Sequence, residues 1–334
     1  MNPFSFVGQL PASKSILNRL IIAKSFFPHL NIINGSQCDD VQLMERGLES
    51  LFKGQPVECG HAGTVLRFLV FRAARVVGEH ELVGSQRLFD RPQEELLSSV
   101  RQLGCEVQIE GCRLFIKSQG WRLMGDGLHI RSHRSSQFVS GVLLNSWELT
   151  QPLHISLGKD VVSQGYLEMT LSLLRQLGMQ VDLHGGEITI KSHQKVSVNE
   201  FAAECDMSSA FALAAIAAYD GHFILQNYPA SSLQPDAIFV DLLVQMGAEV
   251  ERTDHQIKVK SCEKLSVVYF NIDRAPDLFP VLAVLCSLAV GESFLYGGNQ
   301  LAYKESNRLQ KIAELLFKMG VNFEVINTSI KVNG

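Results

Sequence analysis

One segment design recurs along this 334-residue chain: an amphipathic helix, then Leu-Gly or Met-Gly, a strand, a short turn and a second strand. It reads LLSSVRQLGCEVQIEGCRLFIK around Gly104 and LSLLRQLGMQVDLHGGEITIK around Gly178. It returns as VDLLVQMGAEVERTDHQIKVK around Gly247 and IAELLFKMGVNFEVINTSIKV around Gly320, so the copies are almost evenly spaced. A degenerate fifth copy, MERGLESLFKG, ends near Gly54. Each glycine sits where a helix ends in a left-handed C′ residue. The strands alternate, as in Val107-Gln108-Ile109 and Ile188-Thr189-Ile190, so one face of each is buried. Glu110-Gly111 and Gly185-Gly186 are hairpin turn signals. A period of about 70 residues is too long for a solenoid repeat and suits a βαβαββ supersecondary unit. The repeat therefore predicts an α/β chain of about two domains with tight crossovers, because no low-complexity linker interrupts it.

Composition narrows the function classes. Apolar residues make up 46% and charged residues 19%, enough to bury large cores. Net charge is −4, which disfavours a nucleic-acid-coating protein. The seven cysteines are odd in number and form no Cys-x-x-Cys pair, so neither a disulfide framework nor a zinc site is expected, and a reducing cytoplasm is. Met-Asn-Pro-Phe-Ser-Phe lacks the pattern of a signal peptide. The longest apolar run, about Leu278 to Val290, is too short to cross a bilayer and reads as a buried helix.

Several helix starts gather hydrogen-bond donors. Pro11 fixes an extended approach to a helix running to about Phe27, with Ser13 or Ser15 as its cap and Lys14, Ser15 and Arg19 on its first turns. Free N–H groups, an ammonium and a guanidinium there suit an anion, although a capped, solvated helix start fits equally. Gly60-His61-Ala62-Gly63-Thr64 precedes a helix carrying Arg67, and Arg87 and Arg91 flank the next start. Ser135-Ser136-Gln137, then Ser163 and Tyr166, then Asp206, Ser208 and Ser209 occupy similar places. Lys304 and Arg308, four apart, are expected on one helical face beside Glu305.

In their order and spacing these residues resemble the 3-phosphoshikimate 1-carboxyvinyltransferase (EPSP synthase) family. Its Pro-Gly-Ser-Lys-Ser…Asn-Arg motif is similar to Pro11-Ala12-Ser13-Lys14-Ser15 with Asn18-Arg19. Its Asn-Ala-Gly-Thr…Arg-Pro motif resembles His61 to Thr64 with Arg67-Phe68, and its Arg-x-x-x-Arg-Pro resembles Arg87, Arg91 and Pro92. Ser135-Ser136-Gln137, Ser163 with Tyr166, Pro276-Asp277-Leu278, and Lys304, Glu305 and Arg308 complete the series.

The resemblance implies a two-domain inside-out α/β barrel of βαβαββ units, five visible of the usual six. One domain would cover residues 13–203 and hold three units with most of the shikimate 3-phosphate site. The other would combine residues 1–12 with 204–334, incomplete, carrying Asp277 and Lys304 to Arg308, with the active site in the cleft between domains. The implied reaction transfers the enolpyruvyl group of phosphoenolpyruvate to the 5-hydroxyl of shikimate 3-phosphate and releases phosphate. By the same resemblance, Ser15, Arg19, Ser135, Ser136, Gln137, Ser163, Tyr166, Asp277, Gln300 and Lys304 would hold shikimate 3-phosphate. Lys14, Gly63, Arg91, Gln137 and Arg308 would hold phosphoenolpyruvate. Asp277 would take the hydroxyl proton, and Glu305 or Lys14 would protonate the methylene carbon. No metal or organic cofactor is implied, and the partners are small anionic substrates, not nucleic acid or membrane.

The chain departs from the family pattern at Ala12, His61, Phe68 and Gln300, and it contains no match to the family's later Asp-His-Arg and Lys-Thr-Phe-Pro motifs. With a sixth unit missing, the strand at residues 3–9 is expected to lack its usual partners, and the incomplete second domain to offer an apolar surface for self-association. Two alternatives stay open: a catalytically weak or silent relative that binds a phosphorylated shikimate-like ligand, and an enolpyruvyl transferase acting on a nucleotide sugar.

Overall fold

The computed structural model describes residues 3–131, 135–158 and 163–334. They form two compact units, one of residues 14–203 and one of residues 1–13 with 204–334. Ser13, expected to open the first unit, falls with the second.

The first strand, β1 (Phe4–Gly8), belongs to the discontinuous unit. The chain then enters the continuous one through α1 (Lys14–Phe26), β2 (Asn31–Ile33) and α2 (Asp39–Phe52). In α2 the apolar positions Val41, Met44, Leu48 and Leu51 recur every three or four residues and are buried, while Asp39 and Asp40 in the first turn favour the helix dipole. A second copy runs β3 (Val57–Glu58), α3 (Gly63–Ala73), β4 (Gly78–Val83), α4 (Gln86–Asp90), α5 (Glu94–Gln102), β5 (Glu106–Glu110) and β6 (Arg113–Ser118). A third runs β7 (Leu128–Ile130), α6 (Gln137–Leu144), β8 (Leu153–Leu157), α7 (Gln164–Gln176), β9 (Val181–His184) and β10 (Glu187–Ile190), followed by β11 (Glu200–Ala202).

The second and third copies each close one four-stranded sheet, in the orders β3-β4-β6-β5 and β7-β8-β10-β9. The first two strands are parallel, and the hairpin is added antiparallel, pairing Leu82 with Leu114 and Ile155 with Ile188. The first copy is shorter. Its β2 pairs in parallel with β11, and α2 leads straight into β3, so no hairpin follows. The core is built on α3 and α6, whose residues are almost wholly buried, Phe68, Phe71 and Phe138 among them. Each such side chain contributes about 1.5–3 kcal/mol of burial. Gly141 permits this packing, since a Cβ there would overlap the Phe71 ring.

In the discontinuous unit, β1 is followed after the crossing by α8 (Met207–Tyr219), β12 (Gly221–Leu225), α9 (Phe239–Gln245), β13 (Glu249–Arg252) and β14 (Ile257–Lys260). The last copy has β15 (Tyr269–Asn271), α10 (Phe279–Cys286), β16 (Glu292–Tyr296), α11 (Arg308–Lys318), β17 (Asn322–Ile326) and β18 (Ser329–Asn333). The sheets are again four-stranded, β1-β12-β14-β13 and β15-β16-β18-β17.

The expectation that residues 3–9 lack partners is therefore corrected. Strand β1 lies parallel to β12 along its whole length, and Phe6 stacks on Phe223 with ring centroids 5.4 Å apart. It supplies the first strand of a copy whose other three strands follow only after the whole continuous unit. Gly54, Gly104, Gly178, Gly247 and Gly320 all have φ between +67° and +100°, the left-handed helix ends that the repeat implies. Among the described residues no helix is long and apolar enough to cross a membrane.

Candidate active site

In the continuous unit two of the expected cations, Lys14 and Arg19, lie on the first two turns of α1, in unlike surroundings. Arg19, in the second turn of α1, is 3% exposed. Its Nε donates to Thr170 Oγ1 at 2.8 Å, Nη1 to the Ser15 carbonyl at 2.7 Å and Nη2 to the Tyr166 carbonyl at 3.4 Å. The guanidinium carbon lies 5.4 Å from the Phe68 ring centroid. Every one of these partners is neutral. Burial pushes the Arg19 pKa down to about 10, with Tyr166 opposing the shift. Lys14, by contrast, is solvated and forms an ion pair with Asp40 at 3.6 Å.

The hydroxyl of Ser13 does not cap α1 as the sequence suggested: its oxygen is buried and makes no hydrogen bond among the described residues. Gly63 opens α3 directly against Arg91, which is buried at the C-terminal end of α4. A Cβ at Gly63 would fall inside the contact radius of the Arg91 guanidinium, so glycine is required for that approach. Arg87 and Arg91 do not flank a helix start. They lie in and just after α4, which Ser85 caps.

At the start of α6, Ser135 Oγ accepts from the Gln137 N–H at 3.2 Å, whereas Ser136, 3% exposed, makes no capping bond. The Gln137 amide is oriented from both ends. Its Oε1 accepts from Arg67 Nη1 at 2.6 Å, and its Nε2 donates to Thr64 Oγ1 at 2.9 Å. Ser163 precedes α7 in a left-handed conformation, φ +52°, unusual for serine, and its hydroxyl does not cap the helix. Tyr166 follows on the first turn of α7 and is 8% exposed. The Asp206 group resolves into an ordinary cap, with Asp206 accepting from the Ser209 N–H at 2.8 Å.

The discontinuous unit holds a second cluster. Asp277 lies in a 3-10 turn, Pro276–Leu278, ahead of α10. Its Oδ1 accepts from Arg308 Nη1 at 2.6 Å and Lys304 Nζ at 3.3 Å, and Arg308 Nη2 donates to Glu305 Oε2 at 3.3 Å. Lys304 and Arg308 do not share a helical face. Asn307 caps α11 by accepting from the Gln310 N–H, so Arg308 is the first helical residue and Lys304 remains extended. The two cations meet at Asp277 instead. Gln300 is 3% exposed, and both its amide atoms are buried without a hydrogen-bond partner among the described residues.

Sequence reasoning named Arg67 without assigning it to the site, and it missed Thr170 and Asp40. Thr170 lies one helical turn after Tyr166, on the same face of α7, which is the signal that could have found it. It also contacts Ser140 of α6 at 2.9 Å, tying Arg19 to two further helices.

Comparison with solved structures places the fold. The EPSP synthase of Acinetobacter baumannii aligns with 100% of this chain and 83% of its own length at a TM-score of 0.76 and 20% identity. The enolpyruvyl transferase NikO of Streptomyces tendae aligns with 100% of this chain and 82% of its own length at a TM-score of 0.70 and 16% identity. The fold is thus one that enolpyruvyl transferases adopt. A family model described as EPSP synthase (3-phosphoshikimate 1-carboxyvinyltransferase) matches residues 26–334, and the chain belongs to that family.

Curated proteins named 3-phosphoshikimate 1-carboxyvinyltransferase are similar to it. The protein from Methanocorpusculum labreanum is 31% identical over 283 residues, and that from Methanothermobacter thermautotrophicus 32% over 279. These alignments cover 84% and 82% of this chain but 66% of each relative, so the match spans just under two thirds of their length. The relative from Methanosphaera stadtmanae is 28% identical over 367 residues, covering the whole chain and 86% of itself.

Proposed function

We propose that the chain transfers the enolpyruvyl group of phosphoenolpyruvate to the 5-hydroxyl of shikimate 3-phosphate, releasing phosphate, as a step of aromatic amino acid biosynthesis in the cytoplasm. The observation that carries the reading is Arg19: a buried guanidinium bonded to neutral oxygens is set to receive a dianion. Ser15, Arg19, Ser135, Ser136, Ser163, Tyr166, Asp277, Gln300 and Lys304 bind shikimate 3-phosphate in this proposal. Lys14, Gly63, Arg91 and Arg308 bind phosphoenolpyruvate, and Gln137 touches both. Asp277 accepts the hydroxyl proton, while Glu305 or Lys14 protonates the methylene carbon. Addition then elimination through a tetrahedral intermediate needs positioned acids and bases, which these side chains provide.

Seven unpaired thiols, four of them buried, support a reducing compartment. Exposed apolar side chains on and after α11, Phe317 at 78% and Met319 at 47%, support self-association through the discontinuous unit. The test is a steady-state phosphate-release assay with both substrates, run beside light scattering. Phosphate release that requires both substrates is the expected result. No release at any oligomeric state defeats the reading.

A further inference from the structure

The shortened first copy leaves a groove in the continuous unit. Its apolar lining comes from Leu17 and Ile21 of α1, Ile32 of β2, and Val41, Leu48 and Phe52 of α2, and its volume is about 700 Å³. The two complete copies of the same unit show what such a seat takes. In them the second helix, α5 or α7, packs on a hairpin strand, β5 or β9, and the hairpin pairs with the second strand of the sheet. Those hairpins bury alternate apolar residues, Leu114 and Ile116 in one and Ile188 and Ile190 in the other. The corresponding helix α2 and strand β2 are present here without a hairpin.

The edge of β2 is open for pairing. On one side, the Asn31 N–H donates to the Asn199 carbonyl, and the Ile33 carbonyl accepts from the Ala203 N–H. Because a strand alternates its hydrogen-bonding direction, the backbone N–H and C=O of Ile32 face the other way. Among the described residues β2 pairs with β11 alone. An edge of this kind beside an apolar groove is the arrangement used for strand addition. The α2 wall of the groove carries Glu45 and Glu49, and the α1 wall carries Lys24.

We propose that this groove docks an extended segment of a partner protein. That segment runs antiparallel to β2, carries apolar residues at alternate positions, and has a basic residue toward Glu45 and Glu49. It takes the place of the absent hairpin, and it involves none of the residues assigned to substrate.

The probe is a synthetic peptide with the sequence of this chain's own hairpin, residues 105–118, titrated by fluorescence anisotropy against the full chain. Saturable binding with a Kd below about 100 μM is expected. Phe52→Asp, at an exposed groove position whose ring lies over the Arg72 guanidinium, is expected to weaken binding at least tenfold. Charge-reversed Glu45→Lys/Glu49→Lys is expected to favour a peptide in which acidic residues replace the basic ones. A second variant inserts the hairpin sequence between Gly54 and Gln55; it is expected to raise Tm by about 4 °C or more and to abolish peptide binding. Absence of binding to the parent chain overturns the proposal, whatever the inserted variant does. A dimer in light scattering that Phe52→Asp dissociates also overturns it, by assigning the groove to a second copy.

Discussion

Arg19 in one unit and the Lys304 and Arg308 pair in the other are held in opposite ways. In residues 14–203, Arg19 is buried among neutral acceptors, and its burial costs enough to lower its pKa to about 10. In the other unit, Arg308 and Lys304 are partly exposed and share the carboxylate of Asp277. A cation buried among neutral groups is held at an electrostatic cost that an incoming anion would relieve, which is the basis for the anionic ligand proposed at Arg19. A carboxylate between two cations is held in place by them, and any ligand phosphate or carboxylate that draws on either cation also alters the carboxylate's surroundings. In the proposed reading, Arg19 belongs to binding and Asp277 to chemistry, and the predictions below test that division.

The largest effect expected from this contrast is at Asp277. Asp277→Asn removes the proposed proton acceptor and leaves Lys304 and Arg308 with a neutral amide. Turnover should fall about 10²- to 10⁴-fold, the range typical of a lost general base. Affinity for shikimate 3-phosphate should stay the same or rise, because both cations are freed for anions. A kcat near the parent value would move the base elsewhere. Equal losses in kcat and affinity would make Asp277 a binding residue only, and the contrast with Arg19 would fail.

Arg19→Gln is next. Removing one charge-assisted contact costs about 1.5–3 kcal/mol, which is roughly a 10- to 150-fold loss of shikimate 3-phosphate affinity by calorimetry. The fold should survive, since glutamine can still donate to Thr170 or to the Tyr166 carbonyl. Unchanged affinity would show that the buried guanidinium is a packing element joining α1 to α7. A smaller change is expected from Gly63→Ala. The added methyl displaces the Arg91 guanidinium, the end of a flexible side chain, while alanine suits the first turn of α3. The KM for phosphoenolpyruvate should rise several-fold with Tm nearly unchanged. A large drop in Tm would mean that Arg91 is locked by structure and not poised for a ligand.

Much of this was legible in the chain. The repeat gave away the helix ends, because glycine alone is comfortable at φ near +70° to +100°, and all five copies show it. The hairpin turns at Gly111 and Gly185-Gly186 were readable for the same reason. Pairings across long separations were not. Nothing local in FSFVG reveals that Phe6 meets Phe223, with the whole continuous unit between them in sequence. The spacing of Lys304 and Arg308 suggested a helical pair, but the Asn307 side chain competes for the backbone there, and α11 starts only at Arg308. The Ser85 cap and the ordinary role of Asp206 show the reverse limit: donors at a helix start look alike in sequence whether they hold a ligand or only the helix.

The smallest expected effect concerns the segments at which the discontinuous unit is left and re-entered. Pro11 to Ser13 and Glu204 to Asp206 run side by side, with the Ser13 N–H donating to the Glu204 carbonyl and the Asp206 N–H to the Pro11 carbonyl. The Glu204 carboxylate accepts from the Ser232 hydroxyl and, at 2.7 Å, from the Leu233 N–H. Burial raises its pKa above the ordinary value of 4.5, and those hydrogen bonds offset only part of the rise. The folded chain therefore holds the Glu204 proton more tightly than the unfolded chain does. Its contribution to stability is fully present below pH 4.5 and is lost as pH rises through the raised native value. Glu204→Gln cannot titrate and keeps an oxygen for the Leu233 N–H. Its Tm plotted against pH should lack this decline, so the difference between parent and variant should change as pH rises above 4.5 and level off once Glu204 is ionised in the folded chain. Parallel curves over that range would show that Glu204 titrates alike in both states and that the crossing carries no proton-linked stability.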